Sequence, residues 1–70
     1  MNKDTTANYP IGTIVRVMDG EVYRVVEHVN DIVWRGILLN RSHEPSINRE
    51  TGKPWIDTMH VRAIARVLDK

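Results

Sequence analysis

The chain predicts an all-β fold, a small barrel of about five strands with a one-turn helix near its C-terminus. Three observations carry that expectation. Residues 13–18, 21–29 and 32–39 are hydrophobic runs rich in Val, Ile, Tyr and Trp, residue types that suit a pleated, half-buried surface. Asp19-Gly20 separates the first two runs and Asn30-Asp31 the second two. A two-residue primed turn needs positive φ, which Gly and Asn tolerate, so the middle of the chain reads as a three-stranded antiparallel meander. Finally, both faces of that meander are partly apolar. A sheet with one solvated face alternates more cleanly, so the second face must curl inward or be covered.

Residues 1–9 read as a flexible tail, with Pro10 and Gly12 punctuating the entry into a single domain over residues 10–70. In the first run Thr13, Val15 and Val17 share one face, and Ile14, Arg16 and Met18 share the other. In the second, Tyr23, Val25 and Val29 oppose Val22, Arg24, Val26 and His28. Gly36 inside the third run suits a sharp bend of the kind small barrels need at their corners. Residues 40–54 form a long polar loop, punctuated by Pro45, Gly52 and Pro54, with Ile47 as its aliphatic anchor.

Two readings of the C-terminal segment compete. In one, residues 55–58 form a fourth strand, 60–64 a single helical turn and 65–68 a short closing strand. In the other, Asp57 or Thr58 caps a helix whose buried stripe is Val61, Ile64, Ala65 and Leu68; the fold is then a three-stranded sheet plus a C-terminal helix. The strand reading accounts better for the two-sided meander.

Size and composition narrow the function classes. Seventy residues make one domain, with no Cys and therefore neither a disulfide nor a Cys-based zinc site. A bare core of this size supplies roughly 3–5 kcal/mol of net stability, so self-association into a homo-oligomer is an expectation. His28, His43 and His60 are too irregularly spaced to suggest a metal site, and no cofactor motif is present. Ten Lys and Arg oppose nine Asp and Glu for a net charge of +1, less basic than is usual for a dedicated nucleic-acid binder. Seven of those ten are Arg, which suits bidentate contacts to phosphate or carboxylate. No run approaches the roughly 20 apolar residues of a membrane span, and the polar start MNKDTTANY is not a signal peptide. A cytoplasmic protein with no membrane partner is expected.

The layout of three meander strands, polar loop, strand, one-turn helix and short last strand resembles an SH3-like small barrel over residues 11–68. The stretch MHVRAIARVL resembles the way such barrels close. It is similar to the ending of the plasmid-encoded trimethoprim-insensitive dihydrofolate reductases, tetramers of a short SH3-like chain. That family's active-site motif is Val-Gln-Ile-Tyr just before the closing turn. Ile56, Asp57, Thr58 and Met59 stand there in this chain and none matches, so the resemblance implies the fold and not the activity. Short Cys-free chains of this kind also resemble accessory proteins of phages and mobile elements.

SH3-like barrels serve peptide binding, nucleic-acid binding and oligomerisation alike, so function must be argued from side chains. Arg41, His43, Arg49 and Lys53 lie in the polar loop beside Trp55, against Glu44 and Glu50. Arg and Lys could hold phosphate while an indole stacks on an unpaired base; Trp and Arg equally dominate protein interfaces. The plain alternative is a solvated loop with Trp55 in the core. Trp34 is a core residue by default and a peptide-recognition platform if exposed beside Tyr23. Arg16, Arg24 and Arg35 fall one per strand and form a basic stripe if they share a face; singly, they are ordinary edge-protecting surface charges. Asp57–His60 and His43–Glu44 are the acid/base pairs on offer, and neither comes with a nucleophile or a phosphate-cradling loop. The expectation is a non-catalytic binding module, with a protein-interaction, adaptor or inhibitor role leading and nucleic-acid binding through an Arg-rich face as the alternative.

Overall fold

The computed structural model describes residues 4–69. Five strands, β1 (Ile14–Val17), β2 (Val22–His28), β3 (Val33–Leu39), β4 (Ile56–His60) and β5 (Ile64–Asp69), form one antiparallel sheet in the order β4-β3-β2-β1-β5. A 3₁₀ turn, Val61–Ala63, links β4 to β5, and another, Thr6–Asn8, precedes β1. The fold is all-β and barrel-like, as the meander predicts. The C-terminal helix of the competing reading does not form. Val61 is buried in the 3₁₀ turn, while Ile64 and Val67 pack on the core from a strand paired to β1. Val61 and Ile64 turn inward as a helix would place them, but Val67 rather than Leu68 then packs on the core, because successive strand residues alternate faces.

The turns match the expected hairpins in position but not in type. Gly20 donates to Val17 O (2.9 Å), and Val17 N–H donates to Glu21 O (2.9 Å). Gly20 alone of the Asp19-Gly20 pair takes positive φ, 95°, so the loop has three residues with glycine in the left-handed position. At the second hairpin Asn30 Oδ1 accepts from Ile32 N and Val33 N (3.0 and 2.9 Å). That side-chain turn removes any need for positive φ at Asn30 or Asp31. Of the tail expected over residues 1–9, positions 1–3 lie outside the described residues. From there on the chain is tied to the sheet: Thr6 is buried, its N–H donates to Asp31 O (2.7 Å) and its hydroxyl to Asn30 O (3.0 Å). His28 Nε2–H donates to Tyr9 O at 2.7 Å.

The inner face follows from the register. Val15 lies opposite Tyr23, Tyr23 opposite Leu38, Val25 opposite Gly36 and Trp34 opposite Met59. Trp34 is fully buried, with its ring 6.0 Å from that of Tyr23 at an interplanar angle of 77°, the edge-to-face geometry aromatic pairs favour. Its indole N–H donates to His60 O at 3.3 Å. Gly36, two residues along the same face, takes no positive φ. It serves space rather than the expected bend: a Cβ there would collide with the Trp34 ring and sit 3.1 Å from Arg24 O and from Tyr23 Cβ. Gly36→Ala therefore lowers stability by about 1–3 kcal/mol through overpacking, which thermal unfolding followed by circular dichroism reads as a clear fall in midpoint.

Tyr23 donates its hydroxyl to Asp57 Oδ2 at 2.7 Å. Burial above all, then the bond to Asp57 and the negative charges of Asp57, Asp19 and Glu21, push the phenol well above its ordinary value. A raised folded-state pKa means that the neutral phenol stabilises the fold fully below the unfolded value of about 10, and that this stability is lost as pH climbs toward the higher folded value. Melting midpoints measured from pH 7 to 11 fall at the alkaline end in the wild type. Tyr23→Phe removes that part of the fall and lowers neutral-pH stability by about 1 kcal/mol; an unchanged alkaline limb would locate the titrating group elsewhere.

Candidate binding face and groove

The outer face of the sheet gathers the arginines. Residues paired across antiparallel strands project to the same side. Arg16 lies opposite Val22, Arg24 opposite Ile14 and Ile37, and Arg35 opposite Glu27 and Thr58. Ile37 and Arg35 are two apart on β3, so Arg16, Arg24 and Arg35 share one face, stepping diagonally across three strands. Strand spacing near 4.8 Å and two residue rises of about 3.4 Å put successive Cα atoms of this diagonal about 8 Å apart.

The register adds a residue the sequence did not single out. Arg66 on β5 stands directly opposite Arg16. Both are exposed, and among the described residues neither makes an ion pair or a side-chain hydrogen bond; nor does Arg24. Arg35 is held by Glu27 Oε1 at 3.3 Å, with both side chains about half exposed. Asp69, opposite Ile14, is the other acid beside the face. Like charges directly opposite across strands are mildly destabilising.

The polar loop is ordered by its own backbone. Ser46 N–H donates to Leu38 O (2.8 Å), Leu38 N–H to Trp55 O (2.9 Å) and Trp55 N–H to Ser46 O (3.0 Å). This lashes its root to β3 and divides it into two tight turns. In the first, His43 N–H donates to Asn40 O and Asn40 N–H to Glu44 O. Asn40 Oδ1 caps Ser42 N and Glu44 N at 2.9 and 3.1 Å. In the second, Asn48 N–H donates to Lys53 O and Gly52 N–H to Asn48 O, both at 2.7 Å.

The first turn stands over the end of the arginine face and flanks an open groove of about 570 Å³. Arg16, Glu21, Val22, Leu39, Arg41 and His43 are among its lining residues. The loop residues expected to act together are thus split. Arg41 and His43 line the groove with Arg16, while Arg49 and Lys53 belong to the second turn and Trp55 to the strand edge. Trp55 is not core; it is 48% exposed, beside Ile47 at 49% and Ile56 at 45%. Trp34, in contrast, cannot be a recognition platform, because the space over Gly36 draws its ring wholly into the interior.

Asp57 and His60 are three apart on β4 and project to opposite faces. Asp57 accepts from Tyr23, and His60 Nδ1 accepts from Arg62 N at 3.0 Å. Among the described residues no three His, Asp or Glu are grouped to hold a metal ion, and no helix is long and apolar enough to cross a membrane. The chain matches no protein-family model, no curated protein and no solved structure.

The Arg16–Arg66 pair makes its own prediction. Arg66→Glu converts a repulsive cross-strand pair into an attractive one and raises stability by roughly 0.5 kcal/mol. Chemical denaturation at low salt reads this as a higher midpoint, and the gain shrinks at high salt because exposed pairs are screened.

Proposed function

We propose that this protein is a small, non-catalytic binding module that holds nucleic acid on the outer face of its sheet. We read the scaffold as an SH3-like barrel, on its strand order and the 3₁₀ turn before the last strand. No reductase activity is proposed, since Ile56, Asp57, Thr58 and Met59 carry none of that family's motif. The observation that supports the reading is the arginine diagonal, with Arg16 and Arg66 facing each other and, among the described residues, no ion pair at Arg16, Arg24 or Arg66.

An array of guanidinium groups kept at some expense to stability suits an anionic polymer whose charges repeat. Phosphate contacts of this kind release counterions and carry no sequence information of their own. The low net charge is compatible, because Arg16, Arg24, Arg35 and Arg66 share this face while Glu27 and Asp69 are the acids the strand register brings to it.

A second reading rests on Trp55, about half exposed at the open edge of β4, whose exposure suits a protein interface. The two readings separate by salt. Binding of a short single-stranded oligonucleotide, followed by fluorescence anisotropy, is expected to weaken with a slope of log K against log salt of about −2 to −3 for three to four phosphate contacts. Arg24→Ala and Arg66→Ala each reduce that slope by about 1, and Arg66→Glu weakens binding while stabilising the fold. A flat salt dependence, or a double variant that binds as wild type, would dismiss the arginine face. Retention of a defined protein at high salt, lost in Trp55→Ala, would establish the second reading instead.

A further inference from the structure

The groove where the arginine face meets the loop has a construction the rest of the face lacks. Two elements bring three positively charged or protonatable side chains to it: Arg16 from β1, and Arg41 and His43 from the first turn of the loop. Val22 and Leu39, which pair across β2 and β3, supply an apolar floor. Glu21 is its one acidic lining residue. A volume of about 570 Å³ lies within the range of pockets for small ligands.

His43 is the residue that makes this more than a gap. Its φ is 59°, the one positive value at a non-glycine position among the described residues. That left-handed conformation is imposed by the bonds from His43 N–H to Asn40 O and from Asn40 N–H to Glu44 O, and glycine would adopt it without strain. A side chain held in a sparsely populated backbone region at the wall of a groove motivates a functional hypothesis for it. Here that residue lines the groove together with Arg16, Arg41 and the apolar Val22 and Leu39.

We propose that the groove seats a phosphorylated nucleoside. The phosphate lies among Arg16, Arg41 and His43, the base rests on Val22 and Leu39, and Glu21 accepts from an amino group on the base edge. Arginine forks match phosphate oxygens in pairs, and a carboxylate accepts from exocyclic amino groups as in base readout. The occupant is either the phosphorylated end of a nucleic-acid strand or a free nucleotide. The strand-end form rests on the nucleic-acid reading above, because Arg16 is shared between the diagonal and the groove; a chain lying on Arg24 and Arg66 would deliver its terminus there.

The test uses the full chain and one short single-stranded sequence made with a 5′-phosphate, with a 3′-phosphate and with hydroxyl ends. A circular single strand and the four free nucleoside monophosphates complete the set. One phosphorylated end is expected to bind about tenfold tighter than hydroxyl ends, the ratio that one added charge-assisted contact gives. Arg41→Ala and His43→Gly abolish that preference, whereas Arg24→Ala weakens the end-phosphorylated and the circular strand alike and keeps it. His43→Gly also melts at the same temperature as wild type or higher, which separates loss of a ligand contact from loss of structure. Saturable binding of a monophosphate, sensitive to the same two substitutions and without any end preference, identifies the free nucleotide as the occupant. Equal binding of every strand with no monophosphate bound would overturn the groove and leave the arginine face standing. Monophosphate binding with no strand bound at all would do the reverse.

Discussion

The fold depends on fitting one large indole into the space that a glycine leaves open. A sheet this small has little interior to offer, and Trp34 is the largest side chain fully buried in it. It fits because Gly36 leaves its own place on the inner face vacant and Tyr23 presents a ring edge from the neighbouring strand. Val15, Val25 and Val61 then pack around an aromatic centre instead of having to make one. The same choice orders the outer face. With Trp34 and Tyr23 fixed inward, the alternation of the strands turns Arg24 and Arg35 outward, and the antiparallel register places Arg16 and Arg66 beside them. The core and the arginine array are two sides of one decision about register, since a slip of one residue would exchange them.

The loop is the complement of that rigid body. Its length suggests freedom, yet the backbone bonds among Leu38, Ser46 and Trp55 pin its root and leave two short turns. One turn leans toward the face and carries Arg41 and His43; the other carries Arg49 and Lys53 outward. A charged loop on a small sheet therefore presents two separate groups of side chains, and only one of them shares space with the arginines of the strands.

Much of the fold was legible because the chain announces its strands with Val and Ile runs and its turns with Asp-Gly and Asn-Asp. The type of each turn was not legible. Whether Gly20 or Asp19 takes positive φ depends on loop length, and Asn30 resolved its turn through a side-chain oxygen. The C-terminal segment was ambiguous for a physical reason: a 3₁₀ turn running into a strand buries Val61 and half-buries Ile64 three residues on, the spacing a first helical turn would give. Three arginines of the face could be named from strand alternation. Arg66 could not, because its place opposite Arg16 exists only once β5 has chosen its register against β1, a contact fifty residues apart in the chain. Trp34 and Trp55 were indistinguishable by type, and it was the glycine two residues after Trp34 that marked which ring would be inside.

That division of the two tryptophans gives the molecule a pair of built-in optical reporters. Trp34, sealed from water, emits as an indole in an apolar medium and changes only when the interior opens. Trp55, half in solvent at the sheet edge, is reachable by an aqueous quencher and answers to whatever settles near it. The intrinsic fluorescence of the unmodified chain is accordingly a sum of one signal for integrity and one for contact, separable by wavelength and by quenching, with no label attached.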